Sequence, residues 1–194
     1  MNHPAQGSVP ITITADEQKT VQGILGYVFR ETPSKFLDNA LKANGLRNHD
    51  NYFDGNLRLA LLGNHVLDTI LTDMWLEHGV RWSRKQMNKK LSHMTSNRGL
   101  ELLCKRTGLI GFIKKRHNHS KYAKKAPADT IEALIGAVWR DSQSITDVRM
   151  VVMRLVQDRC DICSSHFFEE CDSGFLLNLP KKAADLMGRV VGSN

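Results

Sequence analysis

Residues 56–77, "NLRLALLGNHVLDTILTDMWLE", form a long proline-free run whose apolar residues recur at helical spacing, so the stretch predicts a single helix. Leu59, Leu62, Val66, Ile70 and Met74 define its apolar side, and "HG" ends it. A second face carries Leu57, Ala60, Asn64 and Asp68 at steps of three and four. That face holds one acid, Asp68, so it reads either as an ordinary core stripe or as a polar cluster largely dismantled.

Helical spacing continues along the chain. After a polar arm over residues 1–15, Asp16 is the expected N-cap of a helix whose stripe is Val21, Ile24, Leu25 and Val28. Phe36, Leu37 and Leu41 mark a second helix that starts near Pro33 and stops at "ANG". Residues 83–94 and 97–107 predict two basic helices, the second closing at Gly108, with Cys104 in the core. "KKRHNHSKYAKK" at 114–125 has no apolar period and reads as a loop. Two more helices follow, one after Pro127 and one over 146–161. Only "VPITIT" alternates as a strand would, so the fold class is all-α. The 194 residues fit one domain, here residues 16–160, with a tail over 161–194.

No run reaches the roughly 20 apolar residues that a bilayer requires. The N-terminus lacks both a signal peptide's apolar core and a transit peptide's arginines. The expected address is intracellular, cytoplasm or nucleus, with a mitochondrial one left open.

Net charge is +7, but its distribution matters more than its size. Residues 81–125 hold fourteen Lys and Arg against one acid, Glu101, and self-repulsion on that scale disfavours a compact state unless a polyanion is met there. Nucleic acid is the expected partner, with Arg84, Lys85, Lys89, Lys90, Lys114, Lys115, Arg116, Lys121, Lys124 and Lys125 as candidate contacts.

In "ADTIEALIGAVW", Asp129 and Glu132 lie three residues apart at the start of a helix. A capping box favoured by the helix dipole explains such a pair, and so does a hard divalent cation that wants oxygen ligands. The pair alone leaves both readings open. His65 projects about 100° away from Asn64 and reads as an interface or core-edge residue. His117 and His119 read as part of a solvated loop. In the tail, Cys160, Cys163, His166 and Cys171 approach the spacing of a zinc knuckle but lack its glycines, so buried thiols at a helix end are preferred and zinc is not expected.

Four ordered segments together resemble ribonuclease III domains over residues 18–157: "ILGYVFRETPSKFLDNAL", "NLRLALLGNHVLD", "SNRGLELLCKRTGL" and "ADTIEALIGAVWRD". The second is similar to the family signature N-E-R-L-E-F-L-G-D-x-V-L, and the fourth follows the family's later acidic helix almost letter for letter. The resemblance implies an all-helical domain that homodimerises and lines a valley for double-stranded RNA. It also implies four acids, a Glu and an Asp from each of the two helices or their equivalents, that bind Mg²⁺ and activate water against a phosphodiester.

Asp129 and Glu132 stand at two of those positions, Ala60 and Asn64 at the other two, and Leu57 where a further Glu often follows the first Asn. Each lost carboxylate removes several kcal/mol of attraction for a dication even at an effective dielectric of about 20. Asn64 retains only a neutral oxygen, and Asp68 lies about 6 Å further along the axis. Weak Mg²⁺ binding at Asp129, Glu132 and Asn64 is the most the set is expected to support.

The expected function is therefore a dimeric binder of double-stranded or structured RNA that is catalytically impaired or inactive. The alternatives are a Mg²⁺- or Mn²⁺-dependent endoribonuclease with a reduced ligand set and a ribosome-associated RNA-docking protein. The dimer partner is expected to be a second copy, with an active relative as the alternative. Fewer than 40 residues follow the resembling region, so the separate C-terminal double-stranded RNA-binding domain of such enzymes is expected to be absent.

Overall fold

The computed structural model describes residues 12–43, 54–77, 81–114 and 124–157. Those residues form seven α-helices and one 3₁₀ turn, in the order α1 (Ala15–Leu25), α2 (Lys35–Leu41), α3 (Leu57–Glu77), α4 (Arg84–Met94), α5 (Asn97–Arg106), the turn (Leu109–Phe112), α6 (Ala126–Ser142) and α7 (Ile145–Gln157). They contain no sheet, only an isolated parallel bridge between Lys42 and Lys114. No described helix is long and apolar enough to cross a membrane.

Helix boundaries follow local chemistry. Thr14, rather than Asp16, caps α1: its hydroxyl accepts from the Glu17 amide while the Glu17 carboxylate accepts from the Thr14 amide. The Thr-Ala-Asp-Glu spacing satisfies two orphan donors, which Asp16 could not do. Gly26, at φ 66°, closes the helix in the left-handed conformation. Val28 therefore lies beyond the helix and is exposed, while Val21 and Leu25 stay buried. Ser34 caps α2, Ser83 caps α4 through a box with Gln86, and Ser96 caps α5.

Helix α6 is the centre of the domain. Ile131, Leu134, Ile135, Ala137 and Val138 are all buried, so this helix is apolar nearly all round and must be covered on several sides. Helices α2, α3 and α5 supply that cover. From α3 the buried residues are Ala60, Gly63, Leu67, Ile70, Leu71, Met74 and Trp75. Leu59, Leu62 and Val66 are only half-buried, so the packed face is turned from the predicted one towards Ala60 and Gly63.

Polar groups lock the periphery. Gln18 is buried; its carbonyl oxygen accepts from the Ser34 amide at 3.0 Å and its own amide donates to the Glu31 carbonyl at 3.2 Å. Arg154 of α7 donates to the carbonyls of Gly23 and Ile24 at the end of α1. Cys104 is fully buried, as its spacing predicts, and burial pushes its thiol up to about 12.

Candidate active site and basic surface

Two glycines set the geometry of the site. A Cβ on Gly63 of α3 would lie 1.7 Å from the Glu132 carbonyl oxygen, and one on Gly136 of α6 would lie 2.3 Å from the Leu59 carbonyl oxygen. Backbone therefore meets backbone at this crossing, which no larger residue permits. The consequence is that the side chains next to the glycines face one another at short range.

Asn64 is one of them. Its Nδ2 donates to Glu132 Oε1 at 2.9 Å, a bond that spans 68 positions of sequence. Ala60, one turn earlier, is buried at 4 % exposure and carries no polar atom on its side chain. Asn56 anchors the start of the same helix: fully buried, it donates through Nδ2 to the Ala40 carbonyl at 3.0 Å and to the Thr130 hydroxyl at 3.2 Å. Its Oδ1 has no hydrogen-bond partner among the described residues.

Asp129 and Glu132 are both half-buried on α6. Helix α6 begins at Ala126 with no side-chain cap, and the Asp129 amide already bonds to the Lys125 carbonyl at 3.0 Å. Asp129 thus sits inside the first turn and caps nothing, which removes the capping-box reading of this pair. Pro127 is the reason for the earlier start, because its missing N–H is no loss in a first turn.

Burial raises the Asp129 carboxyl above the usual range, against the pull of Lys125. Burial also raises Glu132; the Asn64 amide opposes this, while the charges of Asp129 and Asp68 reinforce it and Lys125 pulls the other way. Asp68 is raised by its own burial and lowered by Thr95 and His65 beside it, and its Oδ1 has no hydrogen-bond partner among the described residues. His65 itself is exposed on α3.

The donor chemistry is a poor fit for Mg²⁺. One Glu132 oxygen already receives an amide N–H, Ala60 offers nothing, and the Lys125 ammonium contributes positive charge where a dication would need negative charge. Among the described residues no three or more His, Cys, Asp or Glu side chains gather where they could hold a metal ion. Of the predicted weak set, the structure brings Asn64 and Glu132 together and places the Asp129 charge within reach of Glu132.

The basic candidates divide. Arg84, Lys85 and Lys89 are exposed on α4, a helix with no buried residue, and Lys124 and Lys125 are exposed at the start of α6. Lys90 is half-buried, its ammonium 5.7 Å from the centroid of Trp82, which itself meets Trp75 edge to face at 5.4 Å. Lys114 departs from expectation: it is ion-paired with Glu17 at 2.5 Å, so it ties the 3₁₀ segment to α1 and its charge is already matched. Lys115, Arg116 and Lys121, like His117, His119, Cys160, Cys163, His166 and Cys171, lie outside the described residues.

Sequence reasoning missed Gly63, Gly136 and Asn56 as parts of the site. The signal for the glycines was present: a glycine inside a helix costs about 1 kcal/mol relative to alanine, so two of them in otherwise strong helices point to close packing.

Comparison with known proteins agrees with this geometry. A model of the ribonuclease III domain matches residues 57–143, the span that contains α3 and α6. The protein Ribonuclease 3 of Borreliella afzelii is 30 % identical over 121 residues, covering 60 % of this chain and 49 % of that protein. The chain thus spans about half the length of this curated relative. Two solved structures of the nuclease domain of ribonuclease III from Campylobacter jejuni superpose with a TM-score of 0.62 at 19 % identity; one covers 72 % of this chain and 95 % of its own. At that identity the likeness speaks for the fold alone. Residues 57–143 therefore match a ribonuclease III domain, and the described residues share the fold of ribonuclease III nuclease domains.

Proposed function

We propose that the chain binds double-stranded or structured RNA as a homodimer and is catalytically impaired or inactive. The observation that carries the reading is the hydrogen bond from Asn64 to Glu132, with Ala60 buried one turn away, at the positions where the family resemblance calls for metal-binding acids. Water activation at a phosphodiester needs a dication held beside it, and these residues supply too little negative charge. RNA binding draws its support from the exposed cations of α4 and the start of α6, which suit phosphate contacts that need no base reading. The homodimer draws its support from the Campylobacter jejuni nuclease domain, described as having a region involved in dimer formation.

Incubation of the purified chain with long double-stranded RNA and Mg²⁺ or Mn²⁺, beside an Ala60→Glu, Asn64→Asp double variant, tests this. Binding that weakens with salt and no cleavage by the unaltered chain are expected, with cleavage appearing only in the double variant. Cleavage by the unaltered chain that disappears on Asp129→Asn would establish the reduced-ligand enzyme instead. Sedimentation equilibrium checks the dimer, and a monomer at all concentrations would remove that part.

A further inference from the structure

We infer that the Asn64 amide, by donating a hydrogen bond to Glu132, ties α3 to α6 at the place where the resemblance implies a shared divalent cation, so that this crossing is held without a metal. The inference goes beyond RNA binding and concerns the integrity of the domain.

Three observations support it. The helices touch through backbone at Gly63 and Gly136, so charge on Glu132 cannot be relieved by the helices moving apart. The donor that answers Glu132 comes from α3 itself, Asn64 Nδ2 at 2.9 Å. The orientation of that amide is fixed by chemistry: turned the other way, its carbonyl oxygen would face a carboxylate, acceptor against acceptor. Charge counting points the same way. The resemblance implies four acids that bind Mg²⁺; here acids stand at two of those positions, and although the Asp68 charge also acts on Glu132, the Lys125 ammonium opposes it and acts on Asp129 as well.

Replacing Asn64 by Asp sets two carboxylate oxygens at the distance where the amide bond now lies, and a pair so close holds together only around a cation or a shared proton. A chain indifferent to Mg²⁺ should thereby become dependent on it.

Thermal unfolding of the full chain in EDTA and in millimolar Mg²⁺ reads this directly. The unaltered chain is expected to unfold at the same temperature in both. Asn64→Asp is expected to fall by about 5 °C or more in EDTA at pH 8 and to recover at least half of that loss in Mg²⁺. Asn64→Ala removes the donor without adding charge, so it should lose stability and show no recovery.

A Tm of the unaltered chain that rises by several degrees in Mg²⁺ overturns the inference, as does an Asn64→Asp chain that is undiminished in EDTA. If Asn64→Asp folds only with Mg²⁺, the inference stands. If it folds under neither condition, Asn64→Ala decides: a lowered, Mg²⁺-independent Tm supports the inference, and an unchanged or Mg²⁺-dependent one overturns it. RNA is absent from every arm, so the result is separate from the fate of the RNA-binding reading.

Discussion

Gly63 lies directly beneath the carbonyl oxygen of Glu132, which occupies the place where a side chain on residue 63 would begin, 1.7 Å from an ideal Cβ. Neither side of this contact can give, because both are helix backbone. Gly63→Ala is expected to destabilise the domain by about 3 kcal/mol or more, through forced separation of α3 from α6. Gly23→Ala is the control: nothing lies within 4 Å of a Cβ there, and the change should stabilise α1 by about 0.5–1 kcal/mol. Urea unfolding of the two variants measures both, and equal effects would refute the crossing as the cause.

Tyr27 donates its hydroxyl to Asp141 Oδ2 at 2.6 Å, and the Arg30 amide donates to the same oxygen at 3.1 Å. Burial, followed by the Asp141 hydrogen bond and charge, raises the Tyr27 phenol well above the ordinary tyrosine range. Tyr27→Phe leaves a carboxylate at 7 % exposure with one donor fewer, at a cost of about 1–3 kcal/mol. Denaturant unfolding gives that number. An ultraviolet titration of the native chain should show Tyr27 still protonated where free tyrosine ionises, about pH 10.

The Glu17–Lys114 pair predicts a pH effect of definite sign. The Lys114 hydrogen bond, then the Thr14 amide, hold the Glu17 carboxyl below its usual range. A lowered carboxylate contributes stability that is present above the ordinary glutamate value of about 4.3 and is lost as pH falls through the folded-state value. The two side chains are 22 % and 28 % exposed, so solvent screening limits the pair to about 0.5–1 kcal/mol. Lys114→Ala should lower stability at pH 7 by that amount and less at pH 3, as followed by urea midpoints across the range.

The same lysine separates matched from exposed charge in a test of the proposed RNA binding. Arg84→Ala and Lys89→Ala should each weaken binding to double-stranded RNA and lower the slope of log K against log salt by about 1 for each phosphate contact removed. Lys114→Ala should leave that slope unchanged, because its ammonium already faces Glu17. Filter binding across a salt series distinguishes the three, and a slope altered only by Lys114→Ala would place the interface elsewhere.

Much of the domain was legible because helical signals are local. The bounds of α3, the two basic helices and the core position of Cys104 all follow from apolar period and capping chemistry within a few residues. The positions of Asp129, Glu132, Ala60 and Asn64 were legible through a resemblance that spans several segments. What local pattern cannot carry is pairing at a distance. Nothing near Lys114 announces Glu17, 97 positions away, and nothing near Asn64 announces that its amide is spent on Glu132. The face of α3 was misjudged for a related reason: leucines at 59 and 62 outweigh glycine and alanine on any hydropathy scale, yet α6 selects the small residues because they let it approach.

The burial of Ala60 bears on which single substitutions this crossing tolerates. A glutamate placed at residue 60 alone would enter a space with 4 % exposure, where the nearby Asn64 amide is already engaged with Glu132. An aspartate placed at residue 64 alone would lose the amide that now meets Glu132. Each single change therefore produces a less stable protein, so folding itself opposes a one-step conversion of either residue to an acid.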